Sequence, residues 1–353
     1  MRILKAMSAT TAQTPAAPAD RNQKIQAFLS GTSFAGGTIA PLRIDTSVRR
    51  YYRVTKADMV AVLMDARPPL ENTDVFEFMD HKLIHMGFSV PEIYAADHKN
   101  GFVLMEDYGD DRYFELIRNN KVPFDTLMDL AVDFLIEKAK ADPQLALEGS
   151  VSYSDDYWMM RVEQFLIHYV PAHPEIQMSE DAISDFKSIF RRLITSAHHF
   201  PPVLLHGDFG AQNLFYLPDR PGIKALGVID FQDLTDARGN MSGSPAFDLV
   251  FFLQDVRMSY PDGMESRMKQ RFIRGAGITD IVAFDTEYAI IGAAQAVKCL
   301  GLFGRLGYRD GRSEYLDFIP YCWRNVRENL KNPALAELKT WFERNIPEFI
   351  RSK

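Results

Sequence analysis

The chain has 353 residues, 46% of them hydrophobic and 25% charged, which suits a globular protein large enough for one big domain or two lobes. A net charge of −7 with no basic tract argues against nucleic acid as the main partner. Two cysteines, Cys299 and Cys322, are too few for a disulfide framework, no apolar run approaches membrane-spanning length, and the first residues lack a signal-peptide core. These features predict a cytoplasmic chain with no membrane partner and no obligate protein partner.

In chain order, residues 1–20 are Ala/Thr/Pro-rich and read as a disordered leader. Asp20 is placed to cap a helix carrying Ile25, Phe28 and Leu29 on one face. Residues 39–44 read as a first strand broken at Pro41, 50–54 alternate as a second, and 59–64 as a buried third. A helix is expected from about Asp74, with Asp74 and Glu77 in a capping-box pattern. Residues 91–96 and 101–105 close a small sheet, and Gly109 fits a turn. The apolar spacing then changes to three-four over 124–141, 155–169 and 180–199, with Trp158, Met159, Met160 and Phe165 as core. His198 and His199 project apart on a helix and read as surface or capping groups rather than a metal pair. Residues 244–255 open a helix with Pro245 near its first turn, and Gly301 and Gly304 permit close helix packing. Residues 323–330 and 335–342 are amphipathic and close the chain.

The chemistry concentrates in 201–233. The apolar run 203–205 delivers His206 and Asp208 at its end, 214–217 leaves Asn213 behind it, and 226–229 ends at Asp230. Between the last two lies Pro218-Asp-Arg-Pro-Gly222, with the residues of a reversing turn. A loop followed by a short hairpin would therefore present Asp208, Asn213 and Asp230 at one spot. Phosphoryl transfer asks for that set: a carboxylate to take the proton of the attacking hydroxyl, and oxygen ligands to hold Mg²⁺ on the phosphates. His206-x-Asp208-x-x-x-x-Asn213 has the spacing of a kinase catalytic loop, whereas Phe231-Gln232 departs from the Phe-Gly of protein kinases.

Leu205-His-Gly-Asp-Phe-Gly-Ala-Gln-Asn213, followed by Val228-Ile-Asp230, resembles the aminoglycoside phosphotransferase family of the protein-kinase-like fold. Membership implies an ATP-dependent kinase with Asp208 as base, His206 buttressing its loop, and Asn213 and Asp230 on magnesium. It makes Asp45-Thr-Ser-Val-Arg-Arg50 the phosphate-covering loop, with Thr46, Ser47 and Arg49 as contacts; a polar hairpin turn with solvated arginines is the other reading. Leu63 or Met64 stands where kinases carry a strand lysine, and Arg53 is a candidate for the missing charge. Glu77 is then either a cap or the helix glutamate that orders the phosphate-binding cation. Residues 106–109 become the inter-lobe linker, with Glu106 and Tyr108 at the adenine, and Asp248 braces the catalytic loop by hydrogen bonds. Within the family, Arg49-Arg-Tyr-Tyr-Arg-Val54, Met64-Asp-Ala-Arg-Pro-Pro69 and Leu302-Phe-Gly-Arg-Leu306 resemble the branch of cell-wall sugar kinases that act on the anomeric hydroxyl of N-acetylmuramate and N-acetylglucosamine.

The expected fold is α+β, a two-lobed protein-kinase-like architecture. A leader spans 1–20, a nucleotide-binding lobe with a five-stranded antiparallel sheet spans 21–107, and a mostly helical lobe with the acceptor site spans 108–353. The expected function is ATP-dependent phosphorylation of an amino-sugar hydroxyl. Gln295, Lys298 and Arg305 are candidates for the acceptor wall. Asp255, two turns beyond Asp248 on the same helix face, either reaches that pocket or is a solvated carboxylate. Two rivals stand beside this reading. An aminoglycoside or aminoalcohol kinase would use the carboxylates of Asp233, Asp236 and Asp255, and a nucleotide-binding pseudokinase is permitted by the absent lysine.

Overall fold

The computed structural model describes residues 19–42, 49–69, 72–231 and 241–351. The first stretch of elements is α1 (Ala19–Ser30), β1 (Thr38–Pro41), β2 (Arg50–Lys56), β3 (Met59–Asp65), α2 (Thr73–His85), β4 (Ile93–Asp97), β5 (Phe102–Glu106) and α3 (Tyr113–Asn119). Helices α4 (Phe124–Lys140), α5 (Pro143–Leu147), α6 (Asp155–Val162) and α7 (Glu180–Ser196) follow, with short strands β6 (Val151–Ser152) and β7 (Val203–Leu204). Strands β8 (Leu214–Tyr216), β9 (Leu226–Val228) and β10 (Met241–Gly243) precede α8 (Ala246–Leu253), α9 (Met264–Gly275), α10 (Ile281–Gly304), α11 (Ile319–Asn329), α12 (Ala336–Asn345) and α13 (Glu348–Arg351). The described residues divide into two compact units, 19–123 with 212–231, and 124–211 with 241–351.

The first unit is built on an antiparallel sheet in the order β1-β2-β3-β5-β4, the five strands expected. Alternation places Tyr52 and Val54 of β2, Ala61 and Leu63 of β3, and Phe102 and Leu104 of β5 on one face, which α1 covers with Ile25 and Leu29. Burying each such aliphatic side chain contributes about 1.5–3 kcal/mol. Arg21 of α1 lies over the Phe102 ring at 4.0 Å and donates to the fully buried Asp65 at 2.6 Å. Strand β3 is exposed at its start, where Met59 and Val60 flank the β2–β3 turn, whereas Ala61, Leu63 and Met64 are enclosed.

Helix α2 starts earlier than its sequence pattern suggests. Asn72, in an extended conformation, caps it by accepting from the Asp74 N–H at 3.0 Å. Glu77 therefore lies in the second turn, beyond reach of the cap, and meets His98 Nε2 at 2.9 Å instead. The capping-box assignment is corrected accordingly.

The division of the chain also differs from a boundary at 107. Arg112 bridges to Phe215, and α3 packs on β8, so 108–123 travel with the sheet together with the β8–β9 hairpin.

The second unit is helical around α10, where sixteen of the 24 residues are buried. The segment Ile281–Arg309 is long and apolar enough to cross a membrane, yet 72% of its most apolar window is buried inside the protein, which makes it a core helix. Gly301 and Gly304 let it approach the neighbouring backbone closely: a Cβ on Gly301 would lie 2.4 Å from the Gln164 carbonyl carbon. At that contact the helix expected over 155–169 widens into a π turn, Phe165–Tyr169.

Among the described residues of the sheet unit, one buried carboxyl has neither oxygen hydrogen-bonded. Asp80 of α2 is fully enclosed, and neither carboxyl oxygen forms a hydrogen bond. Desolvation, reinforced by the charges of Glu77, Glu106 and Glu92, pushes its pKa up to about 7. The native state thus keeps this proton up to about pH 7, whereas an unfolded chain releases it near 3.8. Stability must fall as pH rises between those values and stay level outside them. Asp80→Asn should be neutral at pH 4 and increasingly stabilising up to pH 7, by an amount bounded at about 4 kcal/mol. Denaturant unfolding of both proteins from pH 4 to 8 measures the difference.

Candidate active site

The His206–Asp208 turn is held from below. Strand β7 pairs with β10 and delivers the chain to His206, after which Gly207 takes a left-handed conformation, φ 85°, that glycine adopts freely. The turn aims two backbone N–H groups at Asp248 in the first turn of α8: His206 N at 2.8 Å and Gly207 N at 2.9 Å. Lys138 of α4 donates to the same carboxylate at 2.6 Å and to the Leu204 carbonyl at 2.5 Å. Burial alone would raise the Asp248 pKa, but the Lys138 ammonium and the donated N–H outweigh it and hold the carboxyl below its ordinary value. His206 is buried, and its Nδ1 accepts the Asp208 N–H at 3.3 Å, so its ring supports the turn. Phe209 stacks on Phe134 and meets Phe252 edge-on. Within 204–211 only Asp208 is not buried. A clamped, buried loop therefore carries one half-buried carboxylate.

The sheet unit carries Asn213 and Asp230. The β8–β9 ladder pairs Leu214 with Val228 and continues with the Ile229 N–H on the Asn213 carbonyl at 3.0 Å, which sets the two side by side at the ladder's end. Asp230 sits at φ 63°, a left-handed conformation that Asp tolerates better than most residues and that marks local strain. Its Oδ1 meets the buried Arg49 guanidinium at 3.1 Å. A carboxylate and an amide are hard oxygen donors, the kind that suit Mg²⁺. Thr46, Ser47, Asp233 and Asp236 lie outside the described residues.

The linker is packed on the same hairpin. Arg220, on the reversing turn, pairs with Glu106 and lies 5.2 Å from the Tyr108 ring centroid, and Tyr108 meets Phe215 edge-on. Gly227 must be glycine, since a Cβ there would sit 2.6 Å from the Tyr108 ring. The proposed stand-in for the strand lysine is committed elsewhere: Arg53 donates to Asp107 at 2.5 Å and Asp110 at 3.0 Å, and these bonds raise its pKa further. It is not a spare phosphate cation. The cation beside Asp230 is Arg49.

Two acceptor candidates are displaced from their expected roles. Helix α8 ends at Leu253, so Asp255 lies in the following loop rather than on the Asp248 face. There it accepts from Arg257 Nε at 2.8 Å and from a second guanidinium nitrogen at 3.0 Å, and is neither a solvated nor a free pocket carboxylate. Arg305 approaches Asp310 at 4.0 Å. Lys298 of α10, by contrast, extends over the Phe251 ring at 5.4 Å. Sequence reading missed Lys138, Arg161 and Arg257. Of these only Lys138 left a signal: with Ala131 and Leu135 it lies on the apolar face of α4, where a charge requires a partner.

A five-stranded antiparallel sheet, a helical remainder and this His-x-Asp-x₄-Asn loop with its strand-end aspartate define a kinase-like phosphotransferase. Residues 38–284 match the model of the phosphotransferase enzyme family, and the chain belongs to that family. It is similar to the N-acetylmuramate/N-acetylglucosamine kinase of Caulobacter vibrioides, 30% identical over 93% of this chain and 97% of the relative. The enzyme of the same description from Pseudomonas aeruginosa is 29% identical over 85% of this chain and 86% of its own. Among solved structures, a choline/ethanolamine kinase family protein from Mesorhizobium loti superposes with a TM-score of 0.59 at 11% identity, covering 91% of this chain and 98% of that one. The ADP-bound aminoglycoside phosphotransferase APH(2'')-Ib gives 0.54 at 15% identity over 90% and 99%. These likenesses support the kinase-like fold, and the protein is a kinase that phosphorylates a hydroxyl.

The Asp248 clamp yields a prediction. Asp248→Ala should destabilise the protein by about 3–5 kcal/mol, because it leaves the Lys138 ammonium buried and unpaired. The double variant Lys138→Met/Asp248→Leu should recover much of that stability yet remain slow, since the His206 and Gly207 N–H groups stay unanchored. Unfolding midpoints and turnover of the three proteins test the separation.

Proposed function

We propose that the protein transfers the γ-phosphoryl group of ATP to the anomeric hydroxyl of an N-acetylated amino sugar, N-acetylmuramate or N-acetylglucosamine. The observation that carries this reading is Asp208, the one residue of 204–211 that is not buried, on a loop clamped by Asp248. Asp208 orients the sugar hydroxyl and accepts its proton as the new oxygen–phosphorus bond forms. The bond between the γ-phosphorus and the bridging oxygen breaks, and its electron pair leaves with ADP. Asn213 and Asp230 are the oxygen donors that would hold Mg²⁺, which when bound offsets the charge of the phosphates. Arg49 is suited to keep the Asp230 carboxylate ionised and oriented. His206 contributes position rather than proton transfer, because its Nδ1 is occupied by the Asp208 N–H.

The nature of the acceptor is supported by the relatives named above and by charge. A polycationic antibiotic needs several free carboxylates around it, and Asp255 is already neutralised by Arg257. An interaction module without catalysis is disfavoured by the presented Asp208.

Asp208→Asn should preserve fold and nucleotide binding while reducing turnover of these sugars by two orders of magnitude or more. Near-full activity of that variant would remove Asp208 from its role, and phosphorus NMR of the wild-type product separates an anomeric phosphate from an ordinary ester. Asp230→Ala should weaken ATP binding far more with Mg²⁺ than without it, as followed by calorimetric titration; equal losses would point to a structural role.

A further inference from the structure

Several cations of the helical unit have no carboxylate partner among the described residues, and two of them border one aromatic wall. Arg161, at the end of α6, donates to the Tyr157 hydroxyl at 2.9 Å, and Lys298 lies over Phe251; among the described residues neither forms an ion pair. Both residues are half-buried. A continuous aromatic wall connects them: Phe251 stacks on Phe247 at 4.7 Å, and Phe247 packs on Trp158 at 5.4 Å, one turn before Arg161. The same α8 that carries Phe247 and Phe251 carries Asp248, the anchor of the Asp208 loop. Burial holds the Lys298 ammonium below its ordinary pKa; the neighbouring Cys299 and the Asp208 carboxylate act against it, while Arg161 and Arg257 push the same way as burial. Arg257 is already matched to Asp255. Lys298 thus lies within electrostatic reach of both Arg161 and Asp208.

We propose that Arg161 and Lys298 form the receptor for an acidic substituent of the acceptor, selecting the carboxylate-bearing sugar over its neutral counterpart. The inference rests on the amino-sugar reading above, whose two acceptors differ by the lactyl carboxylate that N-acetylmuramate carries and N-acetylglucosamine lacks. An incoming carboxylate gains two charge-assisted hydrogen bonds and relieves the repulsion between the two cations. A cationic ligand meets that repulsion itself, which adds discrimination against amine-rich acceptors.

The test compares kcat/KM for N-acetylmuramate, its lactyl methyl ester and N-acetylglucosamine in the wild type, Arg161→Gln and Lys298→Met. The wild type should prefer the acid to its methyl ester by tenfold or more, and each variant should reduce the N-acetylmuramate to N-acetylglucosamine ratio by at least tenfold. Arg161→Lys and Lys298→Arg keep the charge and should retain most of the ratio, which separates recognition from a structural role. A ratio changing by less than tenfold, equal losses on both sugars, or indifference to esterification overturns the proposal while leaving the kinase reading intact. Should a variant fail to fold, the wild-type comparison of acid and ester still decides. A wild type that phosphorylates neither sugar overturns the amino-sugar reading, and this inference with it.

Discussion

Everything chemical in the helical unit depends on the carboxylate of Asp248. It lies in an apolar setting where an isolated charge would be costly, and it is tolerated because Lys138 and two backbone N–H groups meet it at once. Those four groups come from α4, the turn after β7, and α8. The clamp therefore defines where these elements meet, not merely how strongly. An apolar cluster of equal volume could hold the helices together, but it could not orient the N–H groups of His206 and Gly207. Within 204–211 of that loop, Asp208 is the one residue that is not buried.

Ion pairs pin segments in both units. In the sheet unit arginines are matched to carboxylates: Arg21 to Asp65, Arg53 to Asp107 and Asp110, Arg220 to Glu106, and Arg49 to Asp230. Each match pins a segment, so strand β2, the linker and the hairpin turn are stapled to one another around Tyr108 and Gly227. The absence of a lysine from β3 is then less a gap than a different arrangement, since Leu63 and Met64 serve the core and the cation nearest Asp230 arrives from Arg49. Among the described residues of the helical unit, Arg161 and Lys298 are left without carboxylates. Matched charges set geometry; unmatched ones near Asp208 are suited to a ligand.

Asp80 follows neither pattern. A fully enclosed carboxyl with no hydrogen-bond partner costs stability in its charged form, and its pKa rises in consequence. It shares α2 with Phe76, whose ring stacks on Phe231 beside Asp230 at 5.0 Å. The helix that bears this strain thus also supports the residue next to the strained aspartate.

The strands, most helices and the reversing turn before Gly222 were legible in the sequence, because periodicity, turn residues and the apolar runs around His206, Asp208, Asn213 and Asp230 are local properties. The spacing of Gly301 and Gly304 likewise announced close helix packing. Partnership was not local. Glu77 reads as half of a capping box, yet the helix begins at Asn72 and Glu77 turns to His98. Arg53 reads as a spare cation and Asp255 as a pocket carboxylate, yet Asp107, Asp110 and Arg257 neutralise them. A charged residue's role is set by which opposite charge the fold brings within a few ångströms, and energies at that range vary steeply with distance and burial. The sequence by itself determined the chemistry this chain carries and the order in which it is laid out. Only tertiary structure decided which charges met a partner, as Arg53 and Glu77 do, because those partners lie far away along the chain.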